Sequence, residues 1–176
     1  MTFNTPGFAG HRRPPSIWAC ISLLTFLGVT AVGGGLAMLF DVGGASPPEA
    51  WLQSIPLVDS WVLPGLVLAV GFGLGSLLVA FAMLTQERWP ATDWIERISG
   101  HHWSWLGAIA LGLGQLVWIG LELVYLPEFA WLQPLYGAIG LALVTIPWLP
   151  SARSHLTTAS RRTARQNSRK ISPNPI

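Results

Sequence analysis

Long apolar runs alternate with short polar segments along the chain. Four runs carry almost no charge, and each is near or above the roughly 20 residues that a helix needs to cross a bilayer's hydrocarbon core. They lie at residues 17–40, 61–84, 103–126 and 130–149. Each is longer and more continuous than a helix in the core of a soluble protein. The pattern predicts an all-α membrane protein with four transmembrane helices in an antiparallel bundle.

The basic residues set the expected orientation of these helices. Of ten Lys and Arg, two precede the first run, two lie between the second and third, and six follow the fourth. The segments 41–60 and 127–129 contain acidic residues and no basic ones. Cytoplasmic loops are enriched in Lys and Arg, so both termini are expected in the cytoplasm, with the protein in the plasma membrane of a bacterium. Nine of the ten tryptophans lie in loops or near span ends, where indole rings favour the headgroup level.

These boundaries divide the chain into three parts. Residues 1–16 form a short cytoplasmic segment, residues 17–149 the transmembrane domain, and residues 150–176 a basic tail that is expected to be disordered. A cleaved signal peptide would have an apolar stretch of roughly 7–15 residues, so the longer first run is predicted to be retained.

The composition supports a location in the lipid bilayer and limits the classes of partner that are expected. Only 10% of the residues are charged and the mean hydropathy is +0.49, against roughly a quarter charged in soluble domains. The pI near 9.2 comes largely from the tail, which has six basic residues and no aromatic ones. A basic segment beside a span is attracted to anionic lipid. Nucleic acid is not expected as a partner, because no aromatic side chains are interleaved to stack on bases.

The outer segment 41–60 is predicted to contain a short helix. Ser46-Pro47-Pro48-Glu49 combines a capping serine with proline and glutamate in the first turn, and apolar residues follow at helical spacing up to Val58. A weaker element of the same kind is predicted at residues 93–98 on the inner side. Both fit amphipathic helices at the headgroups, and the outer one would also fit a binding lid.

Glu122 is the only acidic or basic residue (Asp, Glu, His, Lys or Arg) inside a predicted span. A charge at such depth is costly, so an intramembrane carboxylate is a functional-site hypothesis. It lies about 6 Å below the outer end of its span, so a merely interfacial position is the alternative. Five polar or aromatic residues share its helix face or lie at a matching depth in the fourth span: Gln115, Trp118, Tyr125, Gln133 and Tyr136.

Glycines within the spans predict close helix packing. The candidate packing positions are Gly71 and Gly75 in the second span and Gly112 and Gly114 in the third. Small residues allow helix backbones to approach closely in a membrane. The same face would serve packing within the bundle or a seam with a second chain.

Several chemical classes are excluded by the positions of reactive residues. All four histidines lie in predicted inner segments, which argues against intramembrane haem and metal ligation. A single cysteine excludes a membrane thiol oxidoreductase that works through a cysteine pair. No catalytic residues, cofactor or metal are expected, and the protein is not expected to be an enzyme.

A general resemblance to a class of membrane proteins rests on the first residues of the second and fourth spans. These are Trp-Val-Leu-Pro-Gly at 61–65 and Trp-Leu-Gln-Pro-Leu-Tyr-Gly at 131–137. Over residues 17–149 the chain resembles the small four-helix multipass membrane proteins of high-GC bacteria. The resemblance implies the fold and no activity. The length also resembles that of small multidrug transporters, but their acidic residue lies in the first helix, which has no charge here.

Two functions follow as expectations. The first is a non-catalytic accessory or scaffold subunit, or a self-associating bundle, with a membrane-protein partner or a second copy of the chain on its glycine face. The alternative is a small transporter or proton-linked carrier that uses Glu122 as its coupling group.

Overall fold

The computed structural model of the chain describes residues 13–44, 47–52, 55, 58–86, 92–93, 100–126 and 128–152. These residues form helices and turns and no strand, which confirms the prediction of an all-helical protein. The basic tail beyond residue 152, the capping Ser46 and most of the predicted inner element at 93–98 lie outside the described residues.

Three helices are long and apolar enough to cross a membrane, and a shorter apolar helix follows them. The helices are α1 (Pro15–Phe40), α2 (Glu49–Leu52), α3 (Val62–Thr85), α4 (Trp103–Tyr125) and α5 (Leu132–Thr145). A 3₁₀ turn, Ile146–Trp148, extends α5. The four longer helices fall on the four apolar runs, and α2 forms part of the helix predicted in the outer segment.

The helix ends have local causes. Proline at position 15 opens α1, where its missing N–H has no intrahelical partner to lose, and Asp41 ends α1 in the left-handed region at φ 46°. His102 caps α4, because its Nδ1 accepts the backbone N–H of Ser104 at 3.4 Å. The helix stops at Leu126, which is extended, as the residue before a proline tends to be.

The middle of α3 is a π-helix, Val67–Leu74, flanked by ordinary α-helix. The hydrophobic pattern alone predicted a regular helix, because hydropathy carries no information on hydrogen-bond register. A π-helical segment widens the turn and is frequently found at functional sites. Here it lies along α1, and its Phe72 ring meets Trp118 of α4 edge-on, with centroids 5.9 Å apart.

The four longer helices form a ring, in which α1 contacts α3 and α5 while α4 contacts α3 and α5. Two contacts show which ends lie together. The Arg13 guanidinium donates to the carbonyl oxygen of Leu84 at 2.5 Å, and the Ser16 and Ser151 hydroxyls lie 3.0 Å apart. The start of α1 therefore adjoins the ends of both α3 and α5. We call this end of the bundle the Arg13 end.

The tightly packed core lies in the half of the bundle nearest the Arg13 end. The Trp105 indole N–H donates to the Pro147 carbonyl at 2.9 Å and joins the start of α4 to the end of α5. Side chains with almost no exposed surface cluster beside it: Ile17, Cys20, Leu24, Leu27, Met83 and Leu143. The opposite half is packed less completely and contains two cavities.

Close approach of α1 and α3 depends on glycine. A Cβ added at Gly35 would lie 2.6 Å from the Cβ and N atoms of Ala69 and from the carbonyl oxygen of Gly65. Backbone atoms cannot yield as flexible side chains do, so only glycine allows this separation. The contact between α4 and α5 has the same character, since a Cβ at Gly112 would lie 2.8 Å from the carbonyl oxygen of Gly140.

The four glycines predicted for packing have different surroundings. Gly112 lies at the close α4–α5 contact described above, and Gly114 faces the Phe72 ring, 3.3 Å from an added Cβ. A Cβ at Gly75 would make ordinary contact with Leu111 at 3.6 Å. Gly71 is exposed, and a Cβ there would meet only its own helix. The α1–α3 contact is thus built on Gly35, Gly65 and Gly73 rather than on the predicted Gly71–Gly75 pair.

We expect Gly35→Ala to lower the free energy of unfolding by about 1–3 kcal/mol relative to Gly33→Ala, because the added methyl forces α1 away from α3. Gly33 has nothing within 4 Å of an added Cβ and therefore serves as the matched control. Both variants gain the same helix propensity, so their difference isolates packing. Equilibrium unfolding in mixed micelles measures it, and equal stability of the two variants would contradict the described contact.

The outward surface of the bundle is apolar over most of its length. Large hydrophobic side chains on it include Val29 (60% exposed), Phe40 (71%), Val117 (62%) and Val124 (73%). Soluble monomers rarely expose continuous apolar surface of this kind. With three helices of spanning length, this surface indicates a membrane protein.

Candidate functional site

The carboxylate of Glu122 is held by its own helix. Trp118, one turn earlier on α4, donates its indole N–H to Glu122 Oε1 at 2.6 Å. The indole is itself positioned by its edge-on contact with the Phe72 ring of the π-helical segment. A short hydrogen bond to a charged acceptor is among the stronger ones in proteins, so one carboxylate oxygen has a defined position.

Glu122 lines two cavities, which flank α4 in the half of the bundle opposite the Arg13 end. The first has a volume of about 370 Å³ and lies against the start of α3 and the segment before it, with Val58, Trp61 and Pro64 in its wall. Tyr125 lines this cavity beside Glu122. Apart from these groups its wall is largely apolar.

The second cavity, about 290 Å³, lies between α4, α5 and α1. Gln115, Trp118 and Glu122 reach it from α4, and Gln133 and Tyr136 reach it from α5. The six residues predicted from the sequence are therefore brought together around two adjoining cavities, five of them at the second and Tyr125 at the first. The residues on the Glu122 face of α4 form only part of the wall of the second cavity, and α5 completes it.

The two glutamine side chains of the second cavity are strongly buried. Gln115 is 3% exposed and Gln133 is 4% exposed. Gln133 accepts the backbone N–H of Ala130 at 3.3 Å through Oε1. The amide oxygen of Gln115 has no hydrogen-bond partner among the described residues. An unsatisfied buried acceptor costs about 1–3 kcal/mol, and a donor on a bound molecule would remove that cost.

The two cavities differ in their unpartnered polar atoms. In the first, the buried atom without a hydrogen-bond partner in the described part of the chain is a donor, Trp61 Nε1. In the second it is the Gln115 acceptor. The neighbouring Tyr136 ring stacks on Phe26 of α1, with ring centroids 6.3 Å apart and planes inclined by 26°.

Three lining residues of the second cavity lie outside the four apolar runs and were not predicted. Trp51 comes from α2, and Glu128 and Phe129 come from the connection between α4 and α5. Each lies outside the apolar runs, where hydropathy and helix-face arguments give no position. The available signal was the presence of acidic and aromatic residues in the segments 41–60 and 127–129.

Comparison with known proteins finds no matching family model, no similar curated protein and no similar solved structure. Function therefore has to be inferred from the chain's own residues. Among the residues that the structure describes, no group of three or more His, Cys, Asp or Glu side chains could hold a metal ion.

The arrangement can bind a small molecule and hold a proton or a cation at Glu122. The carboxylate stands in a mostly apolar wall with amide, indole and phenol groups around it. Sites for small ligands typically combine apolar walls with a few placed polar groups, in cavities from about 300 Å³ upward. The first cavity, of about 370 Å³, falls within this range, and the second, of about 290 Å³, lies at its lower limit.

Proposed function

We propose that the chain is an integral protein of a bacterial cytoplasmic membrane, which crosses it four times in an antiparallel bundle with both termini in the cytoplasm. The distribution of basic residues supports this orientation, with the Arg13 end inside. The fourth apolar helix, Leu132–Trp148, is short, and a short span is accommodated by local thinning of the bilayer. Trp131 and Trp148 bracket it as headgroup anchors. The basic tail would then lie on anionic lipid.

We further propose that the protein is a small carrier whose ligand site is built around Glu122. The single observation that carries this proposal is that Glu122 lines two cavities in the half of the bundle opposite the Arg13 end. Intramembrane acids that face a cavity mark substrate or proton paths. Glu122 would act as the coupling group, binding ligand or proton in turn. Four helices barely enclose a path, so the working unit would be a dimer or larger assembly.

The second candidate is the accessory or scaffold subunit, or self-associating bundle. It is favoured by glycines whose added Cβ would meet nothing outside its own helix: Gly33, Gly71 and Gly120. Such positions leave room for the backbone of another chain. The two candidates are compatible if the seam joins two copies of a carrier.

Gentle extraction of the tagged protein from its own membrane, followed by native mass spectrometry, distinguishes the candidates. A carrier should appear as a homo-oligomer with an added small-molecule mass. In Glu122→Gln the fraction of protein that carries this added mass should fall. The variant keeps the oxygen that accepts from Trp118, so the fold is expected to survive. A stoichiometric protein partner and no small-molecule mass would contradict the carrier and favour the accessory subunit.

A further inference from the structure

Two acidic side chains and no basic one line the second cavity among the described residues. Glu122 and Glu128 both line it. No Lys, Arg or His is among the described residues that line either cavity, and the sequence has none from 41 to 60 or from 127 to 131. Asp41, Glu49 and Asp59 add acidic charge to the same end. A concave site with walls of one sign concentrates ions of the other sign.

Aromatic rings line the same cavity from four separate parts of the chain. They are Trp51, Trp118, Phe129 and Tyr136. The face of an aromatic ring is electrically negative and attracts cations, most strongly where water is excluded. Charge and aromatic walls therefore favour the same class of ligand.

The buried Gln115 amide supplies an independent indication. Gln115 is 3% exposed and lines the second cavity, and its amide oxygen, which has no hydrogen-bond partner among the described residues, can accept from a donor or face a positive group. In the first cavity the unpartnered atom, Trp61 Nε1, is a donor, which a cation cannot satisfy. The unpartnered buried atom is thus suited to a positive group in the second cavity and not in the first.

We propose that the second cavity binds a small lipophilic organic cation, an amine or quaternary ammonium ion with an aromatic or branched alkyl body. The proposal rests on the proposed function and names its ligand class. The volume of about 290 Å³ suits a single ring with a compact charged group. Glu122 and Glu128 would neutralise the charge, and the rings would surround it.

Phenyltrimethylammonium and its neutral isostere tert-butylbenzene test the proposal, because the two probes share a shape and differ in charge. Equilibrium dialysis of the purified full chain, against detergent alone as blank, gives the affinity for each. We expect the cation to bind more tightly than the isostere, and Glu122→Gln to weaken cation binding about tenfold or more while changing isostere binding little. Glu49→Gln removes a charge outside both cavities and should leave both affinities unchanged.

Each other outcome overturns the cation proposal in a distinguishable way. Equal affinity of the wild type for both probes would leave the ligand site of the proposed function intact and reject its charge preference. Failure of both probes to bind would remove the site itself. An equal loss in Glu49→Gln and Glu122→Gln would assign the effect to the general charge of the outer end.

Discussion

Ala31→Leu should weaken the binding of phenyltrimethylammonium at least tenfold, a loss of about 1.4 kcal/mol or more. Ala31 is 4% exposed on α1 and lines the second cavity, on the side away from the carboxylate's own helix. The added carbons would occupy space that the ligand needs and would leave Glu122, Trp118 and Gln115 unchanged. The effect therefore tests the cavity as a volume, independently of its charge.

A graded series separates filling of the cavity from damage to the fold. Gly34 also lines the second cavity, and an added Cβ there would meet only the Leu68 side chain, at 3.2 Å. Gly34→Ala should weaken binding less than Ala31→Leu. Ala110→Leu, at an exposed position outside both cavities, should leave affinity unchanged. Dialysis and thermal unfolding of the same samples measure both properties, and unchanged affinity in a folded Ala31→Leu would show that the ligand does not occupy this cavity.

The division of the bundle into a dense half and a hollow half gives these predictions their physical basis. Near the Arg13 end, buried aliphatic side chains and the Trp105–Pro147 hydrogen bond hold the helices together. At the other end, α2 and the α4–α5 connection contribute cavity walls. If the protein is the proposed carrier, the dense half would anchor the helices while the hollow half accepts the ligand, so closure could be confined to one end.

The four longer helices could be predicted from the sequence because the length of a hydrophobic run depends only on local composition. The same holds for the residues that share the Glu122 face of α4, since helical spacing alone places Gln115 and Trp118 there. Gln133 and Tyr136 followed from matching depth in an antiparallel neighbour. The structure brings all of these residues to the cavities.

Features that depend on tertiary contacts could not be predicted from the sequence pattern. The glycines at the α1–α3 contact are fixed by which faces the helices turn toward each other, so Gly71 could not be told from Gly73 by spacing. The π-helix depends on a shift of backbone hydrogen bonds that leaves no mark in hydropathy. Trp51 and Glu128 lie in connecting segments, whose positions are set by the helices around them.

The central claim is that Glu122 lines a water-accessible site in the outer half of a membrane-spanning bundle. Accessibility of position 122 from the outer aqueous phase tests this claim most directly. In a Cys20→Ala background, Glu122→Cys in right-side-out spheroplasts is treated with a membrane-impermeant cationic methanethiosulfonate reagent. Ser60→Cys, exposed in the outer segment, serves as the positive control. Val117→Cys, on the apolar surface of the same helix, is the control for lipid-facing positions.

We predict that Glu122→Cys and Ser60→Cys react from outside, while Val117→Cys does not. This result would place a water-accessible site at Glu122 in the outer half of a membrane-spanning bundle. Lack of reaction at position 122 while Ser60→Cys reacts would contradict the site. Reaction of both Ser60→Cys and Glu122→Cys only in inside-out vesicles would contradict the proposed orientation.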